Sequence, residues 1–401
     1  MTGKKNNLIG AIFLVAGVCI GGGMLALPVD TASSGFIPSS IAMVVCWLFM
    51  TLTALLYVEA NLWMEEGTHV MTMASRLLGR FGKYVSLFLF LFMAYASLIA
   101  YVTGGGKLIE FVFLEFFKIN IGHAESCIIF TLFFGSILFL GTKLLGKINA
   151  ILVTGMIFAY LGLLTSGISG LDAKLLIRQN FSSMLSALPI LLTIFSFQMI
   201  VPSLIPYLNR DPKLCFKAII FGTSIPLVAY LLWQFIVLGS IPLDAEFGLM
   251  FAKEMGLPAT ESIRYAVNNN LLSVFTDFFA FFAIATSYIG ISLGLFDFLA
   301  DSLKLSKIGF RKVGLIALVT APSVALGILF PKAFIFFLEI TGGFGDTILN
   351  GILPIMMVWS GRYYLKKQGV YSVKGGKKLL VVLFAFSVLV ILAQVKNTFH
   401  W

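Results

Sequence analysis

Five carboxylates, Glu59, Asp277, Asp297, Glu339 and Asp346, fall within or beside long apolar runs. An ionised acid at the centre of a bilayer costs at least about 2.5–3.5 kcal/mol, so each one invites a chemical reading. Burial favours the neutral form of a carboxyl, and an acid in such a place can take up and release a proton. Asp277 and Asp297 sit near the two ends of one run, where water is close, and Glu59 has a structural reading as a brace. Glu339 and Asp346 are seven residues apart, a spacing that shares one face of a continuous helix. Either is a candidate proton carrier, although Glu339 also suits a place near the outer interface. Asp346, beside Gly342, Gly343 and Gly345, is the acid expected to face the protein interior.

A second chemistry needs no formal charge. The stretch LVAGVCIGGGMLALP puts Gly17, Gly21, Gly22 and Gly23 near the middle of an apolar run, with Pro28 following. Each glycine costs about 1 kcal/mol against alanine in a helix interior. Gly17 and Gly21 have the spacing of a small-residue packing face, but three consecutive glycines fit an unwound segment lining a cavity better. A later run, LPILLTIFSFQMIVPSLIPYL, carries Ser196 and Gln198 at its midpoint, and Pro202 clashes with the carbonyl four residues back. Amides that follow a helix break attract an anion, and carbonyls that precede one attract a cation. Two such breaks crossing at mid-depth would hold a carboxylate and an ammonium together, which is the head group of an amino acid.

The elements that must position these residues are membrane helices. The 401 residues are 59% apolar and only 11% charged, with 40 Phe against 3 His. No soluble core hides so much apolar side chain, which excludes a cytosolic enzyme, a secreted disulfide scaffold and a disordered chain. Runs long enough to span lie at roughly 8–30, 38–62, 83–106, 124–142, 148–169, 184–207, 215–241, 271–298, 313–331, 333–358 and 379–395. About eleven transmembrane helices in one all-α domain are therefore expected over 1–401. Of 28 Lys and Arg, 20 fall on one side if the N-terminus is cytoplasmic, from Lys4 and Lys5 to Lys377 and Lys378. An odd span count then puts the C-terminal Phe399-His400-Trp401 outside. The longest outer loop, about Pro242 to Asn270, is too small for a catalytic domain. The net charge of +10 follows this topology and anionic lipid rather than nucleic acid. Cys19, Cys46, Cys127 and Cys215 lie far apart with no metal-ligand spacing.

The two interrupted runs open the first and second sets of five spans. Five is odd, so the second set starts from the opposite side of the membrane, as in transporters built from inverted repeats. No residue-level repeat accompanies this order.

AGVCIGGGMLALP, FSFQMIVPSL, SLGLFDFLAD and GGFG…LPIMMVWSGRY together resemble the hydroxy/aromatic amino acid permeases. These are bacterial tyrosine/tryptophan-type transporters of the amino acid–polyamine–organocation superfamily. The similarity runs over nearly the whole chain. It implies the leucine-transporter fold, with repeats at about 8–169 and 184–358 and an extra helix at about 379–395. It also implies a bacterial inner-membrane symporter that imports aromatic amino acids with protons. Carried over by position, Gly17, Val18, Cys19, Gly21, Gly22, Gly23 and Met24 of the first break would meet the substrate. Phe195, Ser196, Phe197 and Gln198 of the second would do the same, with Tyr101 as hydroxyl donor and Tyr95 as its competitor. Phe195, Phe197 and Met24 are the side-chain pocket candidates. Thr286 and Ser287 resemble the hydroxyl pair with which sodium-coupled relatives hold an ion, and Glu59, Glu339 and Asp346 complete the coupling candidates. The family pattern lacks the acids corresponding to Glu339 and Asp346.

The implied partners are an amino acid, a coupling proton or Na+, and membrane lipids, with no cofactor, metal, nucleic acid or obligate protein partner. The nearest alternative is a sodium-coupled carrier of another neutral amino acid. A remote one is an intramembrane aspartyl protease, because Gly343-Phe344-Gly345-Asp346 matches GxGD and Phe296-Asp297 imitates its partner motif. A whole span separates these acids, and the Pro-Ala-Leu motif is missing. A channel would use broken helices too, but no repeated filter sequence is present.

Overall fold

The computed structural model describes residues 2–66, 68–140, 142–266, 270–306 and 308–399. Lys307, His400 and Trp401, and the side chains of Lys4, Lys5 and Lys143, lie outside the described residues. The described residues form helices joined by short connections, with no strand among them. Lipid supplies no partner for a peptide group, so spanning segments close their hydrogen bonds internally. Among the described residues eight helices are long and apolar enough to cross a membrane, and Asn7–Cys19 with Gly23–Thr31, bent by 56°, makes a ninth such segment. The fourth apolar run is a shorter helix, His123–Ser136, tightened at its end over Ile137–Leu140. The chain is a multi-pass, all-α membrane protein.

The tenth run departs from the expected straight helix. Ala333–Ile340 is α-helical, but Thr341–Ile352 is π-helical, and the α-form resumes at Leu353–Trp359. Hydrogen bonds in the middle stretch reach five residues back, as from the Leu353 amide to the Ile348 carbonyl. Its glycines press against neighbours: a Cβ on Gly342 would strike the Pro189 carbonyl, and one on Gly345 the Met93 side chain. The wider turn also rotates Asp346 away from Glu339, so the two acids do not share a face. The third run is longer than expected, Val70–Phe117, with a kink at Gly79, whose φ of +73° suits glycine alone. Gly104, Gly105 and Gly106 of this helix let it close against Phe334, Phe130 and Cys127.

Charged groups tie the two ends of the bundle. At one end Arg362 holds Glu59 through two hydrogen bonds of 2.6 and 2.5 Å, and the Val373 amide donates to the same carboxylate at 2.7 Å. Arg210 donates beside it to the Leu62 and Met64 carbonyls at 3.2 and 2.8 Å. At the opposite end Arg178 caps the Ala32 and Ser33 carbonyls, and Arg264 joins Glu261 to Asp277 at 2.9 and 2.7 Å. The long loop there contains two short helices, Leu249–Glu254 and Ala259–Ala266. Lys253 of the first reaches the buried Asp30 carboxylate at 2.6 Å. Burial opposes the Lys253 charge, but Asp30 and then Glu339 hold its pKa above the ordinary value.

Glu59 is 1% exposed and its partner is the Arg362 guanidinium. Removing one partner of a buried pair strands the other, at about 3–5 kcal/mol. Arg362→Met is expected to lower the thermal unfolding midpoint in detergent strongly, and adding Glu59→Gln is expected to recover part of the loss. Equal midpoints for wild type and Arg362→Met would show that the pair contributes nothing.

Candidate functional site

The first break runs over Ile20, Gly21 and Gly22, between Cys19 and Gly23. In the turn after it, the Met24 and Leu25 amides reach back to the Gly21 and Gly22 carbonyls at 3.0 and 3.1 Å. One of the break's own amides, that of Gly22, donates to the Ser287 hydroxyl at 3.0 Å. Glycine is needed here for close approach rather than for an unusual φ. A Cβ on Gly22 would lie 2.6 Å from the Tyr101 ring, and one on Gly21 would strike the Ser287 hydroxyl.

The second break covers Phe195, Ser196 and Phe197, between the helix Leu188–Ile194 and a tight turn at Gln198–Ile200. Pro202, at the start of the helix Val201–Tyr207, lacks the amide that would continue the ladder. Gln198 closes this break from within. Its Oε1 accepts from the Phe197 amide at 3.0 Å, and its Nε2 donates to the Met50 carbonyl at 3.1 Å.

One hydroxyl joins the two breaks. Tyr230 lies 2.6 Å from the Cys19 carbonyl and 2.8 Å from the Ile194 carbonyl, the last helical carbonyl before each interruption. A single hydroxyl proton serves two acceptors in this position. The Tyr230 ring packs edge-on against Phe195 at 5.3 Å between centroids. One turn away, Trp233 Nε1 donates to the Met24 carbonyl at 2.8 Å.

Asp346 completes the site from the π-helical stretch. The Ser196 hydroxyl donates to its Oδ1, and Asn350 Nδ2 donates to the same oxygen at 2.6 Å and to Ser196 Oγ at 3.1 Å. Asp346 is fully buried, and its Oδ2 has no hydrogen-bond partner, nor does Asn350 Oδ1. The Tyr101 ring lies against Gly22 and the Ser287 hydroxyl against Gly21, which brings both side chains to the first break. Ser196, Asp346 and Asn350 at the second break, and Tyr101, Ser287 and the Gly21–Gly23 backbone at the first, are the two halves of a candidate polar ring. No lysine or arginine enters it.

The remaining expected residues separate. Gly17 and Val18 lie on the exposed face of the first helix, with open space beside Gly17, so they do not reach the ring. Gln198 faces the second span and is occupied there. Met24, Phe195 and Phe197 are buried beside the breaks, and Cys19 contributes its carbonyl. Tyr95 donates to the Leu318 carbonyl and is remote from the breaks, unlike Tyr101. The Thr286 hydroxyl bonds to the Phe282 and Ala283 carbonyls of its own helix. Glu59 is committed to Arg362, and Glu339 has Asp30 and Lys253 as its charged neighbours. Neither oxygen of Asp346 is bonded to Asp297, so the acid pair of a protease is not assembled.

Tyr230, Trp233 and Asn350 bond to the breaks or to Asp346 and are candidate residues that sequence reading passed over. Their signals were faint: two aromatics with polar tips three residues apart in an apolar span, and an amide four residues after an acid.

A multi-pass helical bundle whose two interrupted helices meet at the Tyr230 hydroxyl has the architecture of a membrane carrier of small solutes. Comparison with known proteins agrees. The sequence model of the tryptophan/tyrosine permease family matches residues 4–394, and the chain belongs to that family. It is 32% identical over 413 residues to a tryptophan-specific transport protein of Haemophilus influenzae, covering 99% of this chain and 98% of that one. It is 30% identical over 389 residues to tyrosine-specific transport system 1 of the same organism, covering 96% of each chain. A tryptophan-specific transport protein of Pseudomonas aeruginosa is 27% identical over 407 residues, covering 99% and 96%.

Losing the Tyr230 hydroxyl leaves buried carbonyls unpaired, at about 1–3 kcal/mol. Tyr230→Phe is expected to lower the unfolding midpoint and weaken substrate binding while the ring still packs on Phe195. Unchanged binding by scintillation proximity, together with an unchanged midpoint, would show that the bridge between the breaks is dispensable.

Proposed function

We propose that the chain is a secondary active transporter that imports an aromatic amino acid, tyrosine or tryptophan, by proton symport with alternating access. The observation that carries this reading is the buried Asp346 carboxyl, held by Ser196 of one break and Asn350, with Oδ2 unoccupied. The substrate carboxylate takes the Gly21 and Gly23 amides of the first break and the Tyr101 hydroxyl, the Gly22 amide being held by Ser287. Its ammonium takes the carbonyl side of the second break at Phe195 and Ser196. Phe195, Phe197 and Met24 border the aromatic side chain.

Proton coupling follows from charge at this site. Asp346, bonded to Ser196, lies on the ammonium side of the substrate, and the zwitterion brings no net charge of its own. A proton on Oδ2 neutralises the buried carboxyl, so the loaded site crosses the bilayer without net charge, which ties proton movement to substrate movement. Sodium coupling has less support, since the Thr286 hydroxyl is bonded within its own helix and Ser287 accepts the Gly22 amide. Two inverted repeats, about 8–169 and 184–358, would place the breaks at equivalent positions. The protein then resides in the bacterial inner membrane, with the basic end and the N-terminus in the cytoplasm and the C-terminus outside.

Proteoliposomes test this directly through uptake of labelled tyrosine, tryptophan, phenylalanine and leucine under an imposed pH or sodium gradient. Aromatic uptake driven by the pH gradient is expected. Asp346→Asn is expected to abolish that response and keep exchange of substrate for substrate. No aromatic uptake under either gradient would sink the reading, and an Asp346→Asn protein still driven by pH would remove Asp346 from it.

A further inference from the structure

The last two helices leave an apolar groove of about 330 Å³ between them. Ile355, Met356 and Trp359 form one wall, Leu380, Val381 and Phe384 the other, and Tyr364 stands at the mouth. Both walls belong to membrane-spanning segments, and Met356, Val381 and Phe384 are exposed, so the groove opens sideways onto lipid.

The segment connecting these walls, 365–378, is strongly basic. Lys366, Lys367, Lys374, Lys377 and Lys378 are all exposed, and no acidic residue follows Asp346 anywhere in the sequence. Arg362 nearby already has its counter-ion in Glu59, so the lysines have no carboxylate of their own segment to pair with. Lys377 Nζ lies 4.9 Å from the Tyr363 ring, which keeps one ammonium beside the groove mouth.

An occupant must match both halves: an acyl chain for the groove and an anion for the lysines. Neither nucleic acid nor an acidic protein carries a chain into the bilayer, whereas basic clusters between spans and just beyond them recognise anionic lipid headgroups. We propose that this groove binds an anionic phospholipid, one acyl chain against Met356 and Phe384 and the phosphate on Lys374, Lys377 and Lys378. The bound lipid bridges the two helices. The last helix, Gly376–Phe399, already rests on the π-helical stretch, where a Cβ on Gly343 would strike Gln394 and one on Gly351 would lie 3.2 Å from the Ser387 hydroxyl. Lipid at the basic end thus steadies the helix that carries Asp346.

Native mass spectrometry of the purified protein with phosphatidylglycerol or phosphatidylcholine of identical chains reads this without reference to transport. Retention of phosphatidylglycerol in preference to phosphatidylcholine is expected. At roughly a factor of five per lysine near an anionic headgroup, Lys374→Gln/Lys377→Gln/Lys378→Gln should cut that preference about 100-fold. These lysines are exposed, and an unchanged unfolding midpoint in phosphatidylcholine vesicles verifies that the variant is folded. Phe384→Trp, which fills the groove, should lower retention of both lipids, and glycerol phosphate without chains should not compete. Equal retention of the two lipids, an unaltered preference in the triple variant, or full competition by glycerol phosphate would each overturn the proposal.

Discussion

A peptide group without a partner has nowhere to turn in hydrocarbon, and this chain interrupts two of its apolar segments, at Ile20–Gly22 and at Phe195–Phe197. The Tyr230 hydroxyl makes that tolerable. It reaches the Cys19 and Ile194 carbonyls together, so the helix ends before both interruptions converge on a single atom. Trp233 serves the Met24 carbonyl and Gln198 serves the Phe197 amide in the same way. With these groups satisfied, the peptide groups left over at the crossing are available to a ligand. Binding capacity is thus what remains after the protein has closed its own hydrogen bonds.

The same constraint explains the tenth span. A regular α-helix would set Asp346 on the face of Glu339, towards the ion cluster of Asp30 and Lys253. The π-helical stretch turns it instead to Ser196, and Asn350, four residues on, joins the same oxygen. Gly342 and Gly345 permit the approach, because a side chain at either would collide with the sixth or third span. The two acids therefore sit in separate settings: one at the crossing of the breaks, the other in an ion cluster with a loop lysine.

Apolar runs of sufficient length read directly as membrane helices, and glycine and proline marked the two interruptions, because both signals are carried by residue type alone. Tyr101 could be separated from Tyr95 only once the helix rotation was known. The outward placement of Gly17 and Val18 also depends on rotation, and a run apolar on all sides has no periodicity to reveal it. The π-helical register of Thr341–Ile352 is a choice of hydrogen-bond partner that composition does not encode, which is why a shared face for Glu339 and Asp346 was the natural but mistaken expectation. Gln198 reads as a ligand residue from its place in the second break, but its side chain is taken up by the Phe197 amide and the Met50 carbonyl.

Recognition by helix ends makes a demand that recognition by an aromatic pocket alone does not: both charges of the amino acid must be present. Displacement of bound labelled tryptophan by tryptamine, which lacks the carboxylate, and by indolepropionate, which lacks the ammonium, measures this directly. Both analogues should compete at least roughly 100-fold more weakly than tryptophan, in keeping with the loss of charge-assisted hydrogen bonds. Competition by either analogue at the strength of tryptophan itself would contradict a site built from the two breaks.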